Sequence, residues 1–508
     1  MPTFFFRAPS IAVLACGLAV SACAISPLPL EPAQLEELSQ DHLSRVSAGQ
    51  EPVGGAISLY EAMARALKYN LDFKVEMMQQ SLRGAELHLA HYNLLPSVVT
   101  NSGYASRNNE LSTGELSLAT GILTEPRTTS TERKLQTTDV TFSWNILDFG
   151  LSYIRARQAA DRVLIAEEAK RKVVQRVIED VRTAYWRAVS AERMVQKLAQ
   201  LEGRTKGALA SARALYSGGD TSPITALTYE RELVEIRRTA EELQRELSTA
   251  KTQLAALMNL PPDTPFSLSA EQLNSMPPTL DIDPHEMISA ALFNRAELKE
   301  NAYQRRINEH EAHAALVELL PGIQLYAGDN YDSNKYLDNS SWVTWGAKAS
   351  WNLVKVFQYP AKRDVVEAQD DLLDARALAL TMAVMTQVHV SRIRYMHAAR
   401  ELASARDYYD VQQRLVKQMR AEAAAERISE QTLIREEMNA LVAEAKRDIA
   451  FAAVQNAYAN IFASVGLDPY GSDLNYAGGV GELEAQLRGL WLERGDFGSH
   501  GRITLAAR

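Results

Sequence analysis

Residues 343–353 read Val343-Thr344-Trp345-Gly346-Ala347-Lys348-Ala349-Ser350-Trp351-Asn352-Leu353. Val343, Trp345, Ala347, Ala349, Trp351 and Leu353 alternate with Thr344, Gly346, Lys348, Ser350 and Asn352. This is period two over eleven residues, which predicts a strand with one apolar and one polar face. A membrane-spanning strand needs about 9–11 tilted residues, with lipid on one side and a wet lumen on the other. A strand of a soluble sandwich alternates in the same way, so the pattern alone leaves both settings open. An earlier stretch repeats it, with Val140, Phe142, Trp144 and Ile146 set against Thr141, Ser143 and Asn145.

Working outward, the chain duplicates itself. Ser143-Trp144-Asn145-Ile146 returns as Ser350-Trp351-Asn352-Leu353, 207 residues later. Ser222 and Ser429, and Leu260 and Leu467, keep the same offset, so no insertion separates those landmarks. Upstream, Leu94-Leu95-Pro96 answers Leu319-Leu320-Pro321 at an offset of 225. Ala62–Asn70 is read as answering Ala290–Asn294 with compression. The 18-residue difference between the copies lies between Pro96 and Trp144, where a stretch rich in Thr, Ser and Glu reads as a long loop.

Each copy reads helix, strand, loop, strand, long helix, turn, helix. Residues 150–218 carry a helical pattern without proline, marked by Val174, Val177, Ile178, Val181, Tyr185 and Ala188. The second copy runs from about Ala361 to Ala425. At about 1.5 Å per residue such helices reach roughly 100 Å. The shorter helices, about 58–94 with 223–258 and about 285–319 with 430–466, would match one long helix when stacked end to end. Four strands cannot close a barrel, for which about eight is the minimum. Either copies of the chain associate or the strands are not in a membrane.

The N-terminus reads as a targeting segment. Arg7 is followed by the apolar run Ile11–Val20 and then Val20-Ser21-Ala22-Cys23, a lipobox-like end to a cleaved signal. Cys23 is the candidate lipidation residue. Cleavage removes Arg7 and Cys16, which takes the formal charge from −9 to −10 and leaves one cysteine and no internal disulfide. With 54 basic and 63 acidic residues there is no basic excess, so nucleic acid is not an expected partner.

At this point the chain resembles the TolC-type outer-membrane efflux family. The resemblance rests on Leu59-x-x-Ala62, Ala66-Leu67 and Asn70, on Leu95-Pro96-Ser97, and on Trp144 to Gly150. It continues through Tyr216-x-x-Gly219-x-x-Ser222, Leu227 and Leu257-x-x-Leu260. It implies a mostly α fold with a transmembrane β-barrel portion. That is a homotrimer whose 12-stranded β-barrel is continuous with a 12-helix α-barrel. It also implies a lipid-anchored protein of the outer membrane, in contact with its lipid and extending into the periplasm. The implied function is a passive duct for efflux or type I secretion. The implied partners are a periplasmic adaptor (membrane fusion) protein and an inner-membrane pump of RND or ABC type.

The organisation expected is a signal over 1–22, a linker over 23–57 and a first repeat over 58–260, with strands near 97–107 and 137–147. A linker over 261–284 follows, then a second repeat over 285–468, with strands near 322–331 and 341–353, and a tail over 469–508. The second tip departs from the pattern, with Glu426 where the first copy has Gly219. Paired acidic residues of the family fall here on Thr432 and Arg435. Glu422, Glu426 and Glu430 lie four apart and would share a face of a continuous helix, making an acidic constriction in a trimer. A solvated helix face reads the same way. Gly218, Gly219, Ser222, Pro223 and Ser429 mark hairpin tips, as turns or as adaptor contacts. His88-x-x-His91 and His310-Glu311-Ala312-His313 lack zinc-protease spacing, and no phosphate-cradling loop is found, so neither an enzyme nor a cofactor or metal is expected. The competing class is a periplasmic adaptor or structural coiled-coil lipoprotein, which would extract as a soluble chain. The exported substrate is unreadable.

Overall fold

The computed structural model describes residues 28–123, 128–218, 222–261, 264–271, 273, 275–467, 474–476, 478–495 and 505. Cys23 and the signal segment lie outside the described residues, as does Gly219. The chain divides into two compact units, residues 1–52 and 53–508. In the first, helix α1 (Pro32–Arg45) lies within the stretch read as linker. Pro32 opens it, the Glu31 N–H donates to Gln34 Oε1 at 3.0 Å, and none of its residues is buried.

The second unit begins with β1 (Ala56–Ile57), which pairs in parallel with β4 (Ser267–Leu268). Helix α2 (Leu59–Tyr69) is separated from α3 (Leu71–Tyr92) by Asn70, whose backbone is extended at φ −60° and ψ 129°. The Asn70 side-chain oxygen accepts the Phe73 N–H and caps α3. Arg295 does the same to the backbone in the second copy, at φ −63° and ψ 128°, between α7 (Pro284–Asn294) and α8 (Ala296–Val317). Both pairs are 11 and 22 residues long and are displaced by 225 residues. The expected compression is therefore wrong, because Asn70 answers Arg295, one residue past Asn294. The expected unbroken helices over 58–94 and 285–319 are also corrected, since each turns at its extended residue.

Strands β2 (Ser97–Ser106), β3 (Lys134–Asn145), β5 (Gly322–Asp332) and β6 (Ser341–Ser350) form one antiparallel sheet in the order β2-β3-β5-β6. The register Ser97–Ser143, Tyr326–Gly346 and Gly328–Thr344 places polar and small residues in rows on one face. Ser97 and Ser143 hydroxyls lie 2.7 Å apart, Asn101 donates to Asp139 at 2.9 Å, and Asn330 donates to Thr344 at 3.0 Å. The other face carries Val98, Phe142, Trp144, Leu325, Val343 and Trp345, and Trp345 is 82% exposed. A Cβ on Gly346 would come within 2.6 Å of the Tyr326 hydroxyl, so glycine there lets Tyr326 lie across the strand. The loop from β2 to β3 carries two isolated bridges, Thr113–Thr128 and Leu116–Leu123.

Both strand pairs feed long helices, α4 (Ile146–Gly218) and α9 (Val354–Ala424). The Trp-Asn pairs show their use here. Asn145 Oδ1 accepts the Leu147 N–H and Asn352 Oδ1 accepts the Val354 N–H, both at 3.1 Å, so each strand is stopped by a side chain that starts a helix. Strand β6 accordingly ends at Ser350, short of the expected 353, and α9 starts ahead of Pro360. The first return helix is broken at Thr249 into α5 (Pro223–Ser248) and α6 (Ala250–Leu257), while α10 (Glu430–Val465) is continuous. Contacts run α3–α4–α8–α9 in the half nearer the sheet and α5/α6–α4–α10–α9 in the other half. Each half alternates short and long helices. No described helix is long and apolar enough to cross a membrane.

The core sits where the short helices meet. Helix α11 (Val480–Glu493) packs on α2 and buries Val480, Leu483, Leu487 and Trp491. Trp186, Tyr185, Phe451, Tyr458 and Phe462 join Trp491, with the Trp186 and Phe451 rings 4.7 Å apart. The fully buried Arg182 guanidinium lies 4.1 Å from the Trp491 ring centre and donates to Gln455 at 2.6 Å. The Tyr185 hydroxyl reaches the Ile57 and Ser269 carbonyls at 2.9 and 2.6 Å, which ties β1 and β4 to α4.

Helices α6, α9 and α10 end in the same doubly bonded turn. The Leu260 N–H donates to Ala255, that of Arg427 to Glu422 and that of Leu467 to Phe462. Their left-handed residues are Asn259 at φ 57°, Glu426 at φ 58° and Gly466 at φ 76°. Only at Gly466 would a Cβ collide with backbone, 2.7 Å from the Asn294 carbonyl carbon. Gly466→Ala is expected to cost at least the ~1–2 kcal/mol of a left-handed alanine, read as a lowered thermal midpoint. Asn259→Gly should leave the midpoint within error or raise it.

Burial also acts on Glu179 of α4. Desolvation raises its carboxyl from the ordinary 4.5 to about 7, with Asp180 adding to the rise and Arg295 opposing it. The native state then holds a proton that the unfolded chain releases above pH 4.5, so stability falls as pH rises through 7. Glu179→Gln should stabilise the chain by about 2 kcal/mol at pH 8 and change little at pH 4, measured by thermal unfolding at both values.

Candidate functional site at the hairpin tips

At the first tip α4 ends at Gly218, Ser222 is exposed, and Pro223 opens α5 without an N–H to satisfy. Just beyond it Ile224 is 79% exposed and Leu227 53%. At the second tip α9 ends at Ala424 and α10 begins at Glu430. Ser429 caps α10, its hydroxyl accepting the Thr432 N–H at 3.2 Å and lying 2.8 Å from the Thr432 hydroxyl.

The helix therefore does not continue through Glu422, Glu426 and Glu430, and the shared face expected of them is not formed. Glu422 is in the last turn of α9, Glu426 is the left-handed turn residue, and Glu430 is the first residue of α10. The relevant spacing is seven, not four. Glu430, Glu437 and Glu444 recur along α10 and meet Arg204 and Lys197, themselves seven apart on α4. Arg204 pairs with Glu437 and stands 3.8 Å from Glu430. Lys197 meets Glu444 at 2.9 Å, and Arg193 reaches Glu444 and Asp448 at 2.8 and 3.2 Å. Arg420 of α9 closes on Glu437 at 2.9 Å. Arg435 lies 3.9 Å from Glu232 of α5 and 3.4 Å from Glu436.

This seam ties the first hairpin to the second along a cavity of about 310 Å³ lined by Lys197, Arg204, Arg420, Glu437 and Glu444. The Glu444 and Asp448 side chains are all but inaccessible, whereas Arg193 and Lys197 are 31% and 48% exposed. Burial holds the Asp448 carboxyl above its ordinary range although Arg447 and Arg193 pull it down. Sequence reading missed the seam. The signal available was the repeat of seven in Glu430-Glu437-Glu444, which competes with the repeat of four in Glu422-Glu426-Glu430.

Elsewhere, the His88 and His91 rings stack edge-on at 6.3 Å, and His310 Nε2 lies 3.8 Å from Asp161.

Residues 62–260, the first repeat, match the model of the outer membrane efflux protein family. No curated protein sequence matches the chain. Among solved structures, the outer-membrane channel OprN aligns at 16% identity and a TM-score of 0.60, covering 80% of this chain and 89% of that one. The Campylobacter jejuni CmeC outer membrane channel aligns at 12% identity and a TM-score of 0.62, covering 87% and 95%. The open state of the Neisseria gonorrhoeae MtrE outer membrane channel aligns at 13% identity and 0.59, covering 88% and 99%. At these identities the likeness is one of fold. The resemblance drawn from the sequence is borne out by the family match and the mostly helical architecture.

Glu444→Ala should leave Arg193 and Lys197 facing a lost acceptor. Breaking a buried pair costs about 3–5 kcal/mol, and the half-exposed cations reduce this to about 2 kcal/mol. The expected result is a lower thermal midpoint, whereas the exposed pair Arg363–Glu367 can be neutralised without measurable effect.

Proposed function

We propose that the chain is a passive outer-membrane duct for efflux or type I secretion, working as a homotrimer. The observation that carries this is the four-stranded sheet. Among the described residues its β2 and β6 edges have no strand partner, and its apolar face has Val98, Val343 and Trp345 uncovered. Backbone groups and apolar rows of this kind need both a neighbouring strand and an apolar medium. Three copies supply twelve strands, an even number that closes a barrel with a wet lumen, and the polar rows from Ser97 to Asn330 would line it. The helix layer supports the same reading. On α3, Leu71, Val75, Met78, Leu82 and Leu89 form a heptad-spaced exposed stripe, and α9 exposes Val365, Leu372 and Ile393 at multiples of seven.

In this reading Cys23 carries the lipid. A periplasmic adaptor meets the hairpin tips at Gly218, Ser222 and Pro223, with Ile224 and Leu227 as its apolar contacts, and at Ser429. The inner-membrane pump of RND or ABC type supplies the energy. Glu422 and Glu426 with Thr432 form the pore constriction, while Glu430 and Arg435 serve the seam. The duct binds no cofactor and breaks no bond.

Extraction of outer membranes tests the reading. The duct should run as a trimer that heat converts to monomer and should conduct ions in a planar bilayer. Neutralising Glu422 and Glu426 together should weaken block by multivalent cations. A delipidated chain that is soluble, monomeric and without conductance would instead identify a periplasmic adaptor or structural coiled-coil protein.

A further inference from the structure

The two repeats treat one junction differently. In the second, Arg295 is 8% exposed, and its guanidinium has three sets of acceptors. Nη1 donates to the Ala463 carbonyl at 2.9 Å, Nη2 to Gln387 Oε1 at 3.0 Å, and Nε and Nη2 to the Glu297 carboxylate at 2.9 Å each. The offset of 225 carries Arg295 to Asn70 and Glu297 to Asp72, and the offset of 207 carries Gln387 to Asp180 and Ala463 to Ala256. Asp72, Asp180 and Ala256 all line one cavity of about 540 Å³. The counterparts of every group that holds the Arg295 guanidinium are thus assembled in the first repeat, where the arginine itself is replaced by asparagine.

Asn70 cannot stand in for it. Its side chain is short and is engaged locally, donating to the Leu257 carbonyl at 3.2 Å and accepting from Phe73. The exchange of Gln387 for Asp180 makes the first-repeat site more anionic. Arg187 also lines the cavity, but the second repeat has Arg394 at that position, so it does not distinguish the two. Arg176 approaches Asp72 at 3.5 Å with both side chains more than half exposed, a weak pair that a better-placed cation can displace. Leu71, Ala184 and Leu257 supply apolar wall around the polar groups.

We propose that this cavity binds a small organic cation that presents a guanidinium to Asp72, Asp180 and the Ala256 carbonyl and lays an apolar body against Leu71 and Leu257. A planar five-donor fork can serve three acceptors at once, as the second repeat demonstrates with Arg295 on one carboxylate, one carboxamide and one carbonyl. In the first repeat Asp180 puts a second carboxylate in place of the carboxamide. The cavity exceeds the volume of one guanidinium, which leaves room for the body. Every group that lines the site comes from one chain, with Leu71 at the edge of the exposed α3 stripe.

Isothermal titration of the detergent-solubilised full chain with benzylguanidinium tests it. Binding is expected at low-millimolar affinity or better. Asp180→Asn should weaken it at least tenfold. Asn70→Arg should abolish it by placing the protein's own guanidinium there, with the far-ultraviolet circular dichroism of the unaltered chain retained. Gln387→Asn should leave it unchanged. Absence of binding to the unaltered chain, or equal binding by the Asp180→Asn chain, overturns the proposal. Should Asn70→Arg fail to fold, Asp180→Asn and Asp72→Asn decide the matter, because both residues are exposed and neither belongs to the buried core.

Discussion

Every α-helix ends with backbone groups that lack partners within it. A wall that sets two short helices against one long helix must bury such ends at its waist. This chain meets the constraint twice with one device. Asn70 and Arg295 each take an extended backbone at the start of a wall helix and send a side chain to a carbonyl at the end of the helix below. Asn70 donates to Leu257 at the end of α6, and Arg295 donates to Ala463 near the end of α10. The same two breaks turn α2 and α7 out of the row. They become packing surface, with α11 on α2, and the aromatic core of Trp186, Phe451, Tyr458 and Trp491 gathers where these helices meet.

Helix α4 links everything else. It receives the first strand pair, contacts the short helices of both repeats, and carries the basic half of the seam that docks the second hairpin. A seam of this kind is poor glue by free energy alone, since desolvating Glu444 and Asp448 opposes the attraction. Its value is in register. Glu430, Glu437 and Glu444 match Arg204 and Lys197 at one alignment, and a slip of one helical turn would bury carboxylates without partners. The wall is thereby fixed in height, while its outer flanks, α3 and α9, stay apolar and uncovered within the chain.

Alternation and duplication were legible because both are properties of the sequence read along its own length. The period of two in Val343–Leu353 and the constant offset of 207 need no knowledge of what packs where. The helix breaks at Asn70 and Arg295 were not legible. Neither is a proline or glycine, both lie in helical patterns, and the reason for the break is a carbonyl about 170–190 residues away. The glutamate stripe failed differently. Glu430 belongs to two periodicities at once, and only the partner helix selects seven over four. Glu426 in a left-handed turn was readable in principle, since the first copy has Gly219 at the matching place, whereas Thr249 breaks its helix with no counterpart in α10.

The duplication also constrains how the halves could diverge. From Trp144 and Trp351 onward an insertion would shift the heptads of one long helix against all its neighbours, so the repeats keep a constant length there. Length varies only between Pro96 and Trp144, in the loop that joins β2 to β3. Within the wall, difference has to come by substitution at fixed backbone. Arg295 and Asn70 share φ and ψ within a few degrees. One nevertheless fills its junction with a guanidinium, while the other leaves a lined cavity. Thr432 and Arg435 likewise sit in a turn of α10 whose backbone is ordinary, and Arg435 is spent on Glu232 and Glu436. Divergence in chemistry at conserved geometry is what a wall of fixed height permits, and it concentrates at the waist and at the tips.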